Sequence, residues 1–94
     1  MVYVAWVGDS QVYLGNVDKK ARPIKITQPE HIPTDDMEKI RIYKHRGETR
    51  SSAMEKKTRI YVRGRMYPGL STSRTLGDIL AHHIGVTSEP CVKI

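Results

Sequence analysis

Residues 67–90 read YPGLSTSRTLGDILAHHIGVTSEP, and the rest of this chain is best understood from them. They contain a Pro-Gly turn, small hydroxyl residues around Arg74, and a Leu-Gly-Asp sequence that ends at Asp78. A carboxylate that follows a glycine and is flanked by apolar residues is costly unless another group pairs with it. A second Gly-Asp sequence ends at Asp9. We therefore expect Asp9 and Asp78 to lie at a common site.

The segments on either side of these turns predict short strands. Strands are expected at residues 2–7, 11–17, 23–27, 59–63 and 92–94, where apolar residues are continuous or alternate. The first two would form a hairpin with Asp9 at its tip. Ile24 and Ile26 would face inward. Turns are expected at residues 18–20 and 64–69, and the polar residues 48–58 predict a mobile loop.

Two helices are expected. The first is capped by Thr34 or Asp35 and runs to about His45. Asp35 and Glu38 have the spacing of a capping box, and Gly47 lies near the C-terminal cap. Its buried face would carry three apolar residues: Met37, Ile40 and Tyr43. The second helix is expected at residues 73–83, because leucine or isoleucine recurs every four residues at positions 76, 80 and 84.

Several motifs follow one another in an order shared with a single family. They are VAWVGDSQVYLG at residues 4–15, PEHIP at 29–33, EKIRI at 38–42, RGETR at 46–50 and PGLSTSRTLGD at 68–78. They resemble the central hairpin ending G-D-S-R, the D-H-x-P segment, the E-x-x-R-I helix and the L-x-x-S-R-x-x-G-D signature of the metal-dependent type 2C (PPM-type) protein serine/threonine phosphatases. The resemblance implies an α+β fold, a partial α-β-β-α sandwich of antiparallel strands with two helices, and a partial domain over residues 1–94.

The same resemblance implies a function and a metal centre. The type 2C phosphatases that the chain resembles hydrolyse phosphoserine and phosphothreonine with two Mn²⁺ or Mg²⁺ ions that hold a bridging water. Asp78 is implied as a metal ligand and Asp9 as a ligand in an outer or additional position, while Arg74 is implied as a structural partner of acids beneath the site. The implied partner is a phosphoprotein substrate, and no catalytic side chain beyond the metal ligands is assigned.

The chain departs from the family pattern in ways that bear on activity. The other metal ligands of the family lie in segments that would precede Met1 or follow Ile94, and no Asp here is followed by Gly. Gln11 stands where the family has Arg, Glu30 where it has Asp, and Cys91 where it has Glu. We therefore expect a phosphatase fragment that is inactive alone. The alternative is a pseudophosphatase or regulatory binding module without catalysis.

Composition narrows the remaining classes of function. The chain has 94 residues, a formal charge of +6 and one cysteine, which excludes an internal disulfide and fits an intracellular location in the cytoplasm or nucleus. No apolar run is long enough for a membrane span.

Ten bases and two acids lie between residues 39 and 65, but they are spread over helix, loop and strand, so nucleic-acid binding is not favoured. An acidic phosphopeptide is the second interpretation of this charge. A partial sandwich would leave sheet surfaces uncovered, which favours self-association.

Overall fold

The computed structural model of the chain describes residues 1–18 and 20–94. Lys19, in the middle of the turn expected at residues 18–20, lies outside the described residues. Within them, seven short strands and two helices follow in the order β1 (Val4–Trp6), β2 (Tyr13–Leu14), β3 (Ile24–Lys25), α1 (Asp36–Lys44), β4 (Gly47–Ser51), β5 (Thr58–Val62), β6 (Pro68–Leu70), α2 (Ile79–His82) and β7 (Cys91–Lys93). The mixture of helices with antiparallel strands confirms the expected α+β class.

The strands form three small antiparallel sheets, with the orders β1-β7, β2-β3 and β4-β5-β6. Trp6 pairs with Cys91 in the first sheet, and Leu14 pairs with Ile24 in the second. The predicted hairpin between residues 2–7 and 11–17 is therefore wrong, because β1 and β2 belong to different sheets. The first sheet joins the two ends of the chain.

Hydrogen bonds around Gly8 explain why β1 does not pair with β2. The amide of Gly8 donates to Nδ1 of His31 over 3.0 Å, and its carbonyl accepts from the amide of His31 over 3.0 Å. Beyond the turn, Val12 donates to Oγ1 of Thr27 and accepts from the amide of Ile26. The backbone on both sides of Asp9 is therefore bonded to residues 26–31, and Asp9 lies in a turn between sheets.

Helix α1 begins as expected but packs on a different face. The Oδ2 atom of Asp35 accepts from the amide of Glu38 over 3.2 Å, which confirms Asp35 as the N-cap. The helix buries Glu38 and Ile42, whereas the apolar residues predicted for its buried face are exposed: Met37, Ile40 and Tyr43. That prediction is wrong, because the helix buries a carboxylate that has its own partners.

Residues 48–51 belong to β4 and Thr58 begins β5, so the loop predicted at residues 48–58 is wrong at both ends. Each polar side chain of this strand has a partner: Tyr43 Oη lies 3.3 Å from Thr49 Oγ1, and the guanidinium of Arg50 lies 4.4 Å from the centre of the Tyr61 ring. Gly47, the expected C-terminal cap, is the first residue of β4, and His45 is the C-cap. The strand expected at residues 59–63 is confirmed as β5.

Helix α2 has only four residues, Ile79–His82, which corrects the helix predicted for residues 73–83. Arg74 and Thr87 form an isolated bridge, so the chain is extended before the helix. Asp78 then has φ of 54°, a left-handed conformation that cannot continue a right-handed helix. Leu76 and Leu80 are exposed, and only Ile84 of the predicted apolar series is buried.

The core lies where α1, β5 and the residues around α2 meet. It consists of buried aliphatic side chains: Ile42, Ile60, Ala81, Ile84 and Val86. Gly85 allows a close approach between main chains, since a Cβ atom there would lie 2.9 Å from Cα of Ile42. This contact brings α1 against the segment that follows Asp78. No helix within residues 1–18 and 20–94 has the length and apolar character required to cross a bilayer.

Candidate metal centre

Asp9 lies in a turn whose preceding glycine is held on both sides. Gly8 is buried and has φ of 99°, a left-handed conformation that favours glycine. A Cβ atom at Gly8 would lie 3.4 Å from the carbonyl oxygen of Arg74, so this turn packs against the segment that leads to Asp78. The Asp9 side chain is exposed. The turn therefore presents a carboxylate from a fixed backbone.

His31 connects the Asp9 turn to two other parts of the chain. It is fully buried, and its ring stacks on Trp6 with 6.0 Å between the ring centres. Since Nδ1 accepts the Gly8 amide proton, Nε2 carries the ring hydrogen and donates to Sγ of Cys91 over 3.3 Å. The carbonyl of His31 accepts from the amide of Ser73 over 2.9 Å. The pKa of His31 is lowered mainly by burial and secondly by the nearby positive charge of Arg74. The ring is therefore neutral while it bonds to Gly8 and Cys91.

Asp78 also lies in a turn with a fixed backbone. Its carbonyl accepts from the amide of Ala81 over 2.9 Å, and its side chain is exposed and does not cap α2. The preceding carbonyl, that of Gly77, accepts from Oγ1 of Thr75 over 3.1 Å and from Nε2 of His82 over 2.7 Å. Asp78 is thus held at its peptide groups while its carboxylate faces outward.

The structure brings the two turns together only in part. A surface hollow of about 500 Å³ is lined by the Asp9 turn and by residues up to Leu76, two positions before Asp78. Within the part of the chain that the structure describes, no three side chains of His, Cys, Asp or Glu are grouped closely enough to share a metal ion. Among the described residues, neither the Asp9 nor the Asp78 carboxylate has a salt-bridge partner.

A buried ionic cluster lies beneath the segment that carries Asp78, and sequence analysis named only part of it. Glu38 is 2% exposed. It accepts from Nε and Nη2 of Arg74 over 2.9 and 3.0 Å, from Nη1 of Arg41 over 2.7 Å and from Oγ of Ser73 over 2.7 Å. Arg41 also donates to the carbonyls of Ser73 and Gly85. These bonds join α1 to the chain on both sides of Asp78.

The charges in this cluster are stabilised by one another. Burial alone would raise the pKa of Glu38, but the hydrogen bonds from Arg74, Arg41 and Ser73 outweigh it and lower the pKa to about 2. The bond to Glu38 raises the pKa of Arg74. Arg74 is therefore the structural partner of an acid, as the family resemblance implied.

The three departures from the family pattern make contacts of their own. Nε2 of Gln11 donates to Oε1 of Glu30 over 2.6 Å, so two of the unusual residues bind each other. Lys25 also pairs with Glu30 over 3.1 Å. The third departure, Cys91, accepts the hydrogen of His31 Nε2. The substitutions are accommodated locally at the base of the Asp9 turn.

Comparison with known proteins connects this geometry to a family. The family model described as protein phosphatase 2C matches residues 1–94, which is the whole chain. The chain belongs to the protein phosphatase 2C family. A comparison with curated proteins by sequence gave no significant match.

A solved phosphatase 2C structure has the same fold. The crystal structure of serine-threonine phosphatase 2C from Toxoplasma gondii aligns with a TM-score of 0.81 and 24% sequence identity. The alignment covers 97% of this chain and 32% of the Toxoplasma chain. The fold expected from the resemblance is confirmed, and this chain spans about a third of the length of that phosphatase.

The carboxylates of this phosphatase 2C chain are the right type of ligand for a hard cation, but they are too few to fill its coordination sphere. Phosphatases of this family are generally metal-dependent, and Mg²⁺ and Mn²⁺ prefer carboxylate and water oxygens. Asp9 and Asp78 are exposed carboxylates, the type of ligand that such ions prefer. The described residues supply no third acidic or imidazole group beside them. Two carboxylates can hold an ion only if water or other ligands fill its remaining positions.

Sequence analysis missed the roles of two residues that support this site. Glu38 was assigned to capping, although its spacing of three residues from Arg41 on a helix could have indicated an ion pair. His31 was quoted within the PEHIP motif but was given no role. Its contact with Gly8 spans 23 residues, and no local pattern specifies a contact of that range.

Proposed function

We propose that this chain is part of a phosphatase 2C domain, residues 1–94, that contributes Asp78 and Asp9 as ligands of a Mn²⁺ or Mg²⁺ centre. In the complete domain this centre serves the hydrolysis of phosphoserine and phosphothreonine in a phosphoprotein substrate. The match of the family model to all 94 residues is the observation that supports this most strongly. The single thiol of Cys91 is compatible with an intracellular protein, cytoplasmic or nuclear.

Each polar residue near the site has a distinct part in this proposal. When bound, divalent ions activate a water molecule and neutralise charge on phosphoryl oxygens. Asp78 and Asp9 provide anionic oxygens for them. His31 holds the Gly8 amide, and with it the backbone from which Asp9 projects. Glu38 and Arg74 hold the backbone that leads to Asp78.

We expect the chain to be inactive alone, since two carboxylates repay little of the cost of dehydrating Mg²⁺ or Mn²⁺. The test is an assay of the purified chain on a phosphothreonine peptide with saturating Mn²⁺. Turnover below about 1 s⁻¹, the lower end of typical enzyme rates, is the expected result. Turnover within the ordinary enzyme range would contradict the proposal that the site is incomplete.

A second candidate is a pseudophosphatase or regulatory module that binds a partner without catalysis. It is favoured by the lack of a third metal-binding side chain beside Asp9 or Asp78 within the described residues. The coding sequence on either side of this segment discriminates between the two candidates. An Asp-Gly-His before it and an Asp-Gly after it would support the phosphatase. A genuine start codon at the beginning and a stop codon at the end would support the binding module.

A further inference from the structure

Asp9 also lines a second, smaller hollow that the proposed metal centre does not use. This hollow has a volume of about 230 Å³ and lies between the turn at Asp9, the residues that precede α1, and the tip of the β4–β5 hairpin. Its polar lining consists of Asp9, Thr34, Lys56, Lys57, Thr58 and Ser71. Ligand sites for drug-sized molecules are typically about 300–1,000 Å³. This hollow is below that range and suits a single side chain or anion.

The tip of the hairpin is held in place by its own hydrogen bonds. Ser51 and Thr58 face each other across the strands, with 2.7 Å between their hydroxyl oxygens. The amide of Lys56 donates to the carbonyl of Ser52 over 3.1 Å. Nε of Arg59 donates to both carboxylate oxygens of Glu55 over 3.2 Å. The two lysines are thus presented from a closed loop next to Asp9.

The charges at this hollow favour an anion. Two ammonium groups and three hydroxyl groups can donate hydrogen bonds into it, against one carboxylate from Asp9. Considering residues 1–18 and 20–94 only, neither Lys56 nor Lys57 forms a salt bridge. The nearby acid in the loop, Glu55, is already bonded to Arg59. The two lysines therefore have charge available for a ligand.

We propose that this hollow binds a second negative group of the substrate, a phosphorylated or acidic side chain close in sequence to the phosphoresidue at the metal centre. The assignment to substrate rests on the proposed function, because Asp9 lines both hollows and would bring the two anions next to each other. The site would give the phosphatase a preference for multiply phosphorylated or acidic segments. The phosphatase motifs assign no role to the basic β4–β5 hairpin. This proposal gives it a role in substrate specificity.

The test compares three labelled peptides that bind to the whole 94-residue chain. One carries a single phosphothreonine, one carries a second phosphothreonine two residues away, and one carries Glu at that second position. We expect the doubly phosphorylated peptide to bind about tenfold more tightly than the first, from two partly exposed ion pairs. The advantage should fall as ionic strength rises. The Glu peptide shows whether a carboxylate can replace the phosphate.

Two double variants locate the effect. Lys56→Gln with Lys57→Gln should abolish the preference, whereas Lys39→Gln with Lys44→Gln, the same charge change on exposed residues of α1, should retain it. Equal binding of all three peptides by the unmodified chain would overturn the proposal. An equal loss of this preference in both double variants would also overturn it. So would tighter binding of single-stranded RNA than of the doubly phosphorylated peptide, if that binding depends on Lys56 and Lys57.

The same titrations, made with EDTA and with Mn²⁺, separate this proposal from the one on which it rests. A lysine-dependent preference without any Mn²⁺ binding by the chain would support the anion site and contradict the metal centre. Mn²⁺ binding without the preference would contradict the anion site alone.

Discussion

Glu38 shows how a single buried charge can organise a small protein. An isolated carboxylate would be unstable in this position, but two guanidinium groups and a hydroxyl group bind it from two parts of the chain, α1 and residues 73–74. The arrangement stabilises the charged form, as the lowered pKa shows. Removing Arg41 or Arg74 would leave the buried carboxylate with one guanidinium partner instead of two. Breaking a buried ion pair from one side is more costly than replacing the whole cluster.

The pKa of Glu38 predicts a dependence of stability on pH. Its pKa falls from 4.5 in the unfolded chain to about 2 in the folded one, so its contribution is present above pH 4.5 and is lost as the pH falls towards 2. The shift corresponds to roughly 3 kcal/mol. The pKa of His31 is lowered from 6.5 in the folded chain. As the pH drops below 6.5, the unfolded chain binds a proton at His31 more readily than the folded chain does, so stability falls. Urea unfolding followed by the fluorescence of Trp6 should show both declines.

The control uses two variants with the same chemical change. Glu38→Gln should lower stability at pH 7 and make the decline below pH 4.5 smaller, with the remaining decline due to the other carboxyls whose pKa values are lowered, Glu30, Glu48 and Glu55. Glu89→Gln, at an exposed position, should leave the profile unchanged. A profile that is flat between pH 5 and 2.5 in the unmodified chain would show that Glu38 is not held in its charged form.

At the scale of elements, the contact of α1 with the segment after Asp78 depends on Gly85. Its φ is 93°, and a Cβ atom would lie 2.9 Å from Cα of Ile42 and 3.0 Å from the carbonyl oxygen of Arg41. Gly85→Ala should therefore lower the free energy of unfolding by about 3 kcal/mol or more, through backbone strain and a clash with main-chain atoms. Urea unfolding monitored by circular dichroism measures this.

Gly64 provides the matched comparison. Its φ is 75°, but a Cβ atom there would meet no atom within 4 Å. Gly64→Ala should cost only about 1–2 kcal/mol, the strain of a left-handed residue alone. If the two variants lose the same stability, the close approach of α1 to Gly85 is not a determinant of the fold.

Local features could be predicted from the sequence, and contacts between distant segments could not. The Asp35 cap and strand β5 depend on neighbouring residues and were identified correctly. The partner of β1 was not, because alternation of apolar residues shows that a strand exists without showing its neighbour. The face of α1 was misassigned for a related reason. The apolar face of α1 predicts burial on that side, but the helix packs through the face that carries Glu38. Two partners of Glu38, Ser73 and Arg74, lie 35 and 36 residues away in the sequence. At the candidate site, the motifs located the two Gly-Asp turns but could not reveal that His31 fixes one of them.

At the scale of the whole molecule, the chain is less compact than its length allows. Its radius of gyration is 15.4 Å, whereas about 12 Å is typical of a compact chain of this length. Its surface of 6919 Å² exceeds the roughly 5,500 Å² of a folded monomer of this mass. Both values agree with a chain that corresponds to 32% of the Toxoplasma phosphatase.

An apolar surface contributes to this excess and predicts self-association. A hollow of about 550 Å³ is lined by β2 and by both ends of the chain, with Leu14 and Ile94 exposed in it. Sedimentation should show a mass above 10.7 kDa that increases with concentration. Leu14→Glu should shift the chain towards the monomer, and Met54→Glu, at an exposed position on the β4–β5 loop, should not. A monomer at every concentration would contradict this prediction.

The proposed function requires Asp9 and Asp78, which lie on two turns 69 residues apart in the sequence, to bind one metal centre. Titration of the chain with Mn²⁺, followed by calorimetry, tests this directly. We predict weak saturable binding that Asp9→Asn and Asp78→Asn each reduce by at least about tenfold, since even outer-shell substitutions reduce metal affinity by about 10–100-fold. Asp36→Asn, at an exposed residue of α1, should leave it unchanged. Binding that survives both substitutions, or that Asp36→Asn reduces equally, would contradict the assignment of Asp9 and Asp78 to a metal centre.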